Sequence, residues 1–125
     1  MLNVGMTFTQ SKIVSENETA AMLGSGGIDV FSTPMLIAFM ENTAYKLVQE
    51  HLRPEDSTVG ISVNIDHLKA NLVGDEVNCT AELTNIDGKK LDFSIIVTCG
   101  DDIVGKGSHS RFIINIEKFL NKLKK

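Results

Sequence analysis

The chain has 125 residues, 42% of them hydrophobic, enough for one core and too few for a second, so a single domain over residues 1–125 is expected. Lys plus Arg (12) against Asp plus Glu (16) leaves a net charge of −4, and the only basic run is the tail Lys122 to Lys125, so nucleic acid is not an expected partner. The opening Met-Leu-Asn-Val-Gly-Met has no leader-like pattern and no apolar run approaches the roughly 18 residues of a membrane span, so a soluble, cytoplasmic protein without a membrane partner is expected.

Met6 to Val14 alternates weakly and reads as a first strand. Polar residues Ser15 to Thr19 follow, and then Ala20 to Ile28, whose three glycines in four residues mark a loop or lid rather than a phosphate cradle. Phe31 to Glu50 is the longest helical pattern, running from about Pro34 to His51 and closed by Arg53-Pro54. Thr33-Pro34 is its start signal, because threonine caps free amides and proline has none to leave unpaired. Six apolar residues from Met35 to Met40 predict a buried helix rather than an amphipathic surface one, which sets Glu41 where water is scarce. His51, near the C-terminal end, is explained by the helix dipole.

Beyond the helix the period changes to two. Val59, Ile61, Val63 and Ile65 are expected on one face of a strand, with His67 on that same face. Asp75 to Ile86 is the next strand, with Val77, Cys79, Ala81 and Leu83 inward, and Asp87-Gly88 turns it into Lys90 to Gly100. A turn at Gly100-Asp-Asp leads to a last strand, Ile103 to Asn115, and Ile116, Phe119, Leu120 and Leu123 share one side of a terminal helix reaching Lys125. Cys79 and Cys99 share the apolar phase of their strands and read as small core residues, neither a disulfide nor a metal site.

One long apolar helix and about five antiparallel strands satisfy each other when the sheet curls around the helix, an α+β arrangement. This order resembles the hotdog fold. Thr33-Pro-Met-Leu-Ile-Ala-Phe-Met-Glu41 followed by His67 resembles the fluoroacetyl-CoA thioesterase family of hotdog acyl-CoA thioesterases. The resemblance implies hydrolysis of a short acyl-CoA by a homodimer, with Thr33, Glu41 and His67 as the catalytic set and no cofactor. It further implies a substrate-binding Gly60 near the thioester and Arg111 near the coenzyme A. An aromatic gate is expected ahead of the helix, but that region is Leu23-Gly-Ser-Gly-Gly-Ile28, and Phe31 is left as the one candidate lid aromatic. The expected substrate is therefore a short-chain acyl-CoA, with fluorine selectivity unsupported.

Each residue also has a plain structural reading. Thr33 is accounted for as an N-cap, Glu41 as a carboxylate paired with Lys or Arg, His67 as a satisfied core histidine, and Arg111 as the counterion of a strand acid. His109 shares the phase of Arg111 without a role that the family supplies. Chemically, Glu41 in an apolar setting would activate water or attack the carbonyl, His67 would move the proton, and Thr33 would position the water or act as nucleophile. Eight residues of helix separate Thr33 from Glu41 by about 12 Å, so either His67 bridges them within one chain or a two-fold dimer builds the site between subunits; the dimer is favoured. The rivals are an acyl-CoA-binding hotdog domain without catalysis and a hotdog hydratase, whose Asp/His signature is missing.

Overall fold

A computed structural model describes residues 1–124. Five strands, β1 (Thr7–Ile13), β2 (Asp56–His67), β3 (Glu76–Asp87), β4 (Lys90–Cys99) and β5 (Asp102–Asn115), form one antiparallel sheet in the order β1-β3-β4-β5-β2. The helices are α1 (Ala20–Leu23), α2 (Thr33–Gln49) and α3 (Ile116–Leu123). The long helix α2 lies against one face of the sheet, which is the hotdog arrangement expected from the order of elements.

The core follows from the alternation in β3 and β4. Val77, Cys79, Ala81 and Leu83 on one strand and Leu91, Phe93, Ile95 and Val97 on the next are all buried, and they meet Leu36, Phe39, Met40, Ala44, Leu47 and Val48 of α2. The opposite phase carries hydroxyls and amides, including a Thr9–Thr80 hydroxyl pair at 2.8 Å. The β3–β4 and β4–β5 turns place Gly88 and Gly100 at φ of 60° and 58°, as a two-residue hairpin with glycine in its first loop position requires.

Several expectations change. The helix is buried on one side only, because the sheet covers one side only: Ala38, Asn42, Tyr45 and Lys46 face outward despite the apolar run before them. Cys99, at the strand end, is half-buried rather than a core residue. Phe31 is 1% exposed, with its amide bonded to the Asn71 carbonyl at 2.9 Å, so its ring is packed into the core where it lines a cavity rather than standing free above it. The glycine-rich approach contains the single turn α1, ended by Gly24 at φ 75°. The terminal helix begins at an Asn115 cap, with Ile116, Leu120 and Leu123 exposed and Lys125 outside the described residues.

The largest change is in β2. Its register against β5 shifts between Gly60 and Ser62, so Ile61 is an extra residue in a bulge. Thr58 and Gly60 on one side of the bulge, and Val63, Ile65 and His67 on the other, lie opposite Ile113, Arg111, His109, Gly107 and Gly105 and so share the helix-facing side. Val59 pairs with Phe112 on the other face. The expected common face of Val59, Ile61, Val63 and Ile65 is therefore broken, since an added residue reverses the phase of everything after it.

Gly107 lets β2 approach β5 at this curved edge. A Cβ there would collide with the Asn64 carbonyl oxygen and lie 2.6 Å from Ile65 Cα, both backbone atoms that cannot swing aside. Gly107→Ala should cost about 3 kcal/mol of unfolding free energy, whereas Gly27→Ala should change it by less than about 0.5 kcal/mol. The contrast follows from space, since nothing lies within 4 Å of a Cβ at Gly27. Equal denaturant midpoints for the two variants would contradict this account.

Candidate active site

The first group of functional side chains forms where α2 begins. Ser32, not Thr33, is the N-cap, with its hydroxyl accepting from the Met35 amide at 3.2 Å. Capping is therefore done one residue earlier than expected, and the Thr33 hydroxyl is free to bond elsewhere. It meets His67 Nδ1 at 2.8 Å. His67 ends β2, and its Nε2 is buried without a hydrogen-bond partner among the described residues. A satisfied core histidine would not leave that nitrogen bare. Burial also lowers the His67 pKa below its ordinary 6.5, against a smaller opposing pull from the Lys69 backbone, so the ring stays a neutral proton acceptor near neutral pH. Beside the pair opens a cavity of about 320 Å³ whose lining includes Ser25, Phe31, Ser32, Thr33, His67 and Lys69.

The second group lies further along both elements and converges on Gly60. A Cβ at Gly60 would sit 2.9 Å from Glu41 Oε2, 3.3 Å from His109 Cε1 and 3.5 Å from Arg111 Nη1. Glycine is needed there so that carboxylate, imidazole and guanidinium can close over the strand. Arg111 is 7% exposed and donates from Nε to Thr58 Oγ1 at 2.8 Å and from Nη2 to the Thr58 carbonyl at 3.0 Å. Its guanidinium also lies over the Tyr45 ring, 5.8 Å from the centroid. Its partners are thus neutral groups, and the reading of Arg111 as counterion of a strand acid falls. Glu41, half-buried, forms neither an ion pair nor a hydrogen bond among the described residues, which removes its structural reading as well.

Two of the expected catalytic residues, Thr33 and His67, are thus in contact, and Glu41 joins Gly60 and Arg111 instead. Gly60 and His67 are seven positions apart on β2, about 20 Å along the strand, and no hydrogen bond or ion pair joins His67 to Glu41 among the described residues. Thr58 and Tyr45, which hold Arg111, carry no signal in the sequence that marks them as functional. The signal for His109 was its place two residues before Arg111 on the same strand face.

Residues 14–117 match the family described as fluoroacetyl-CoA-specific thioesterase. The chain belongs to the fluoroacetyl-CoA-specific thioesterase family. It is therefore a thioester hydrolase on the hotdog fold. Among curated proteins it is 28% identical to the fluoroacetyl-CoA thioesterase of Streptantibioticus cattleyicolor, over 98% of this chain and 93% of that one. Among solved structures it resembles a phenylalanine-to-alanine variant of the fluoroacetyl-CoA-specific thioesterase FlK, with a TM-score of 0.92 and 28% identity over 98% of this chain and 96% of that one. The same variant in complex with fluoroacetate and CoA matches with a TM-score of 0.90 and 28% identity over 94% and 99% of the two chains. A thioesterase superfamily member from Thermus thermophilus, 19% identical with a TM-score of 0.90 over 98% and 91%, shares the fold.

Burial sets a pH dependence of stability. It lowers the pKa of both His67 and His109 below 6.5 in the folded chain, so the unfolded chain takes up protons first. Their contribution is fully present above about pH 6.5 and is lost as the pH falls through the lowered values. The denaturant midpoint should therefore hold steady between about pH 8 and 7 and drop from about pH 6.5 downward, with a shallower drop in His109→Phe. A midpoint that rises on acidification over that range would contradict the assignment.

Proposed function

We propose that this protein hydrolyses short-chain acyl-CoA thioesters to the free acid and coenzyme A, in a homodimer whose active sites lie between subunits. The observation that carries this reading is the Thr33–His67 contact, which leaves an unpartnered imidazole nitrogen beside a cavity of about 320 Å³. A cavity of that size has room for a short acyl group. The open Leu23 to Ile28 region, without an aromatic, supports a substrate range broader than a fluorinated acetyl group.

Support for the dimer comes from β2. It is an edge strand of 12 residues with unpaired backbone groups along its free side, and Ile61 and Val63 on it are 52% and 39% exposed. Such an edge calls for a cover. Antiparallel pairing of β2 with a second copy, with the two-fold axis at Asn64 and Ile61 bulged out of the ladder, would set His67 opposite Gly60 of the partner subunit. That closes the gap that one chain leaves open, bringing Thr33 and His67 of one subunit to a Glu41 carboxylate from the other.

In this site Glu41 attacks the thioester carbonyl or takes a proton from the attacking water. His67 accepts and returns a proton through Nε2, with its other nitrogen held by Thr33. The Arg111 guanidinium supplies positive charge beside Glu41, and backbone amides at the α2 N-terminus or near Gly60 face the developing oxyanion, Pro34 having none to offer. The two cysteines are free thiols, which supports action in the cytoplasm. No helix among the described residues is long and apolar enough to cross a membrane.

Thiol release from a panel of acyl-CoAs tests the chemistry: Glu41→Gln and His67→Ala should each lower kcat by about a hundredfold or more. Variants as fast as wild type on every substrate would contradict the roles given to Glu41 and His67. Mixing Glu41→Ala and His67→Ala chains tests the geometry, because half of the dimers would then hold one intact site of two. Recovery to about a quarter of wild-type activity is expected, and no recovery would contradict sites shared between subunits.

A further inference from the structure

His109 is a buried titratable group to which no role has been given. It is 2% exposed, and its ring stacks on Phe93 with centroids 5.9 Å apart. Nδ1 lies 2.8 Å from the Ser62 carbonyl oxygen, and Nε2 lies 3.2 Å from Arg111 Nη1. These partners allow one protonation state only. A carbonyl oxygen can only accept, so Nδ1 must carry hydrogen, and a guanidinium can only donate, so Nε2 must present its lone pair. An imidazolium would set an N–H and a second positive charge against Arg111.

We infer that His109, as the neutral Nδ1–H tautomer, is a positioning residue that fixes Arg111 beside Glu41 and Gly60. The inference rests on the proposed hydrolysis for its kinetic consequence, though not for its geometry. Thr58 holds the Nε edge and Nη2 of the guanidinium, and His109 holds Nη1, the end nearest Gly60. With the His109 contact removed, the plane can pivot about Thr58 and carry Nη1 away from the carboxylate. The Ser62 carbonyl that orients the ring is the first residue after the β2 bulge, so the bulge and the arginine are linked through one imidazole. The charged groups that face His109 are Arg111 on its own strand and Glu41 from α2, with the Tyr45 phenol against Arg111. The neighbouring strands contribute Gly60, Ser62 and Phe93, none of which titrates.

Two readouts test this separately from the hydrolase reading. In long-range proton–nitrogen spectra near pH 7, His109 should show a protonated Nδ1 and an unprotonated Nε2, and the Arg111 Nε–H resonance should move in His109→Phe. An Nε2–H tautomer, an imidazolium, or an unmoved Arg111 signal would overturn the inference whether or not the protein turns over any thioester. In thiol release, His109→Phe keeps the stacking on Phe93 and should lower kcat at least about tenfold with KM within about threefold. His109→Gln, whose amide can donate to Ser62 and accept from Arg111, should return kcat to within about threefold of wild type. A phenylalanine variant as fast as wild type, or a folded glutamine variant as slow as the phenylalanine one, would overturn the positioning role. Should wild type release no thiol at all, the hydrolase reading fails alone and the spectra decide the role of His109.

Discussion

The bulge between Gly60 and Ser62 is the constraint on which the proposed site depends. Gly60 and His67 are seven residues apart, so in an unbroken strand they would point to opposite faces of the sheet. One extra residue, Ile61, brings both to the helix-facing side. Gly60 is then free to receive Glu41 and Arg111, and His67 to meet Thr33. Without the bulge one of the two groups would face outward, away from α2. The cost is a stretch of edge strand with Ile61 and Val63 exposed, which a second copy would cover.

Electrostatics explain why the pieces around Gly60 stay in place. A buried guanidinium is costly unless its donors are met, and Arg111 meets them with neutral acceptors, the Thr58 hydroxyl and carbonyl and the His109 imidazole. Glu41 supplies the opposite charge from α2 without being consumed in an ion pair. Burial lowers the Arg111 pKa while Glu41 and Tyr45 raise it, and the group remains a cation throughout the physiological range. A carboxylate that is near a cation yet bonded to nothing is suited to react. At the other end burial lowers the His67 pKa and keeps the ring neutral near neutral pH.

The fold was legible because its strongest signals were local. The alternation in Val77 to Leu83 and Leu91 to Val97 and the glycine turn after Asp87 each have one physical reading, and the core matches them. The helix cap was misread by one residue, and that shift matters because it releases the Thr33 hydroxyl to His67. The β2 bulge was hidden, since Val59 to His67 alternates without a break and only pairing with β5 shows which residue is extra. A warning was nevertheless present: a shared site was expected of Gly60 and His67, whose spacing puts them on opposite faces of any regular strand. His109 was visible by its phase, but its tautomer and its hold on Arg111 depend on the Ser62 carbonyl that the bulge presents.

The central claim is that two half-sites, distant within one chain, meet across a two-fold axis to act on a thioester. A crystal structure of the protein with a non-hydrolysable short acyl-CoA analogue tests it most directly. The account predicts a dimer paired along β2, with the analogue's carbonyl carbon between His67 of one subunit and the Glu41 carboxylate of the other. An analogue bound wholly within one chain, or a dimer whose β2 edges are apart, would contradict it.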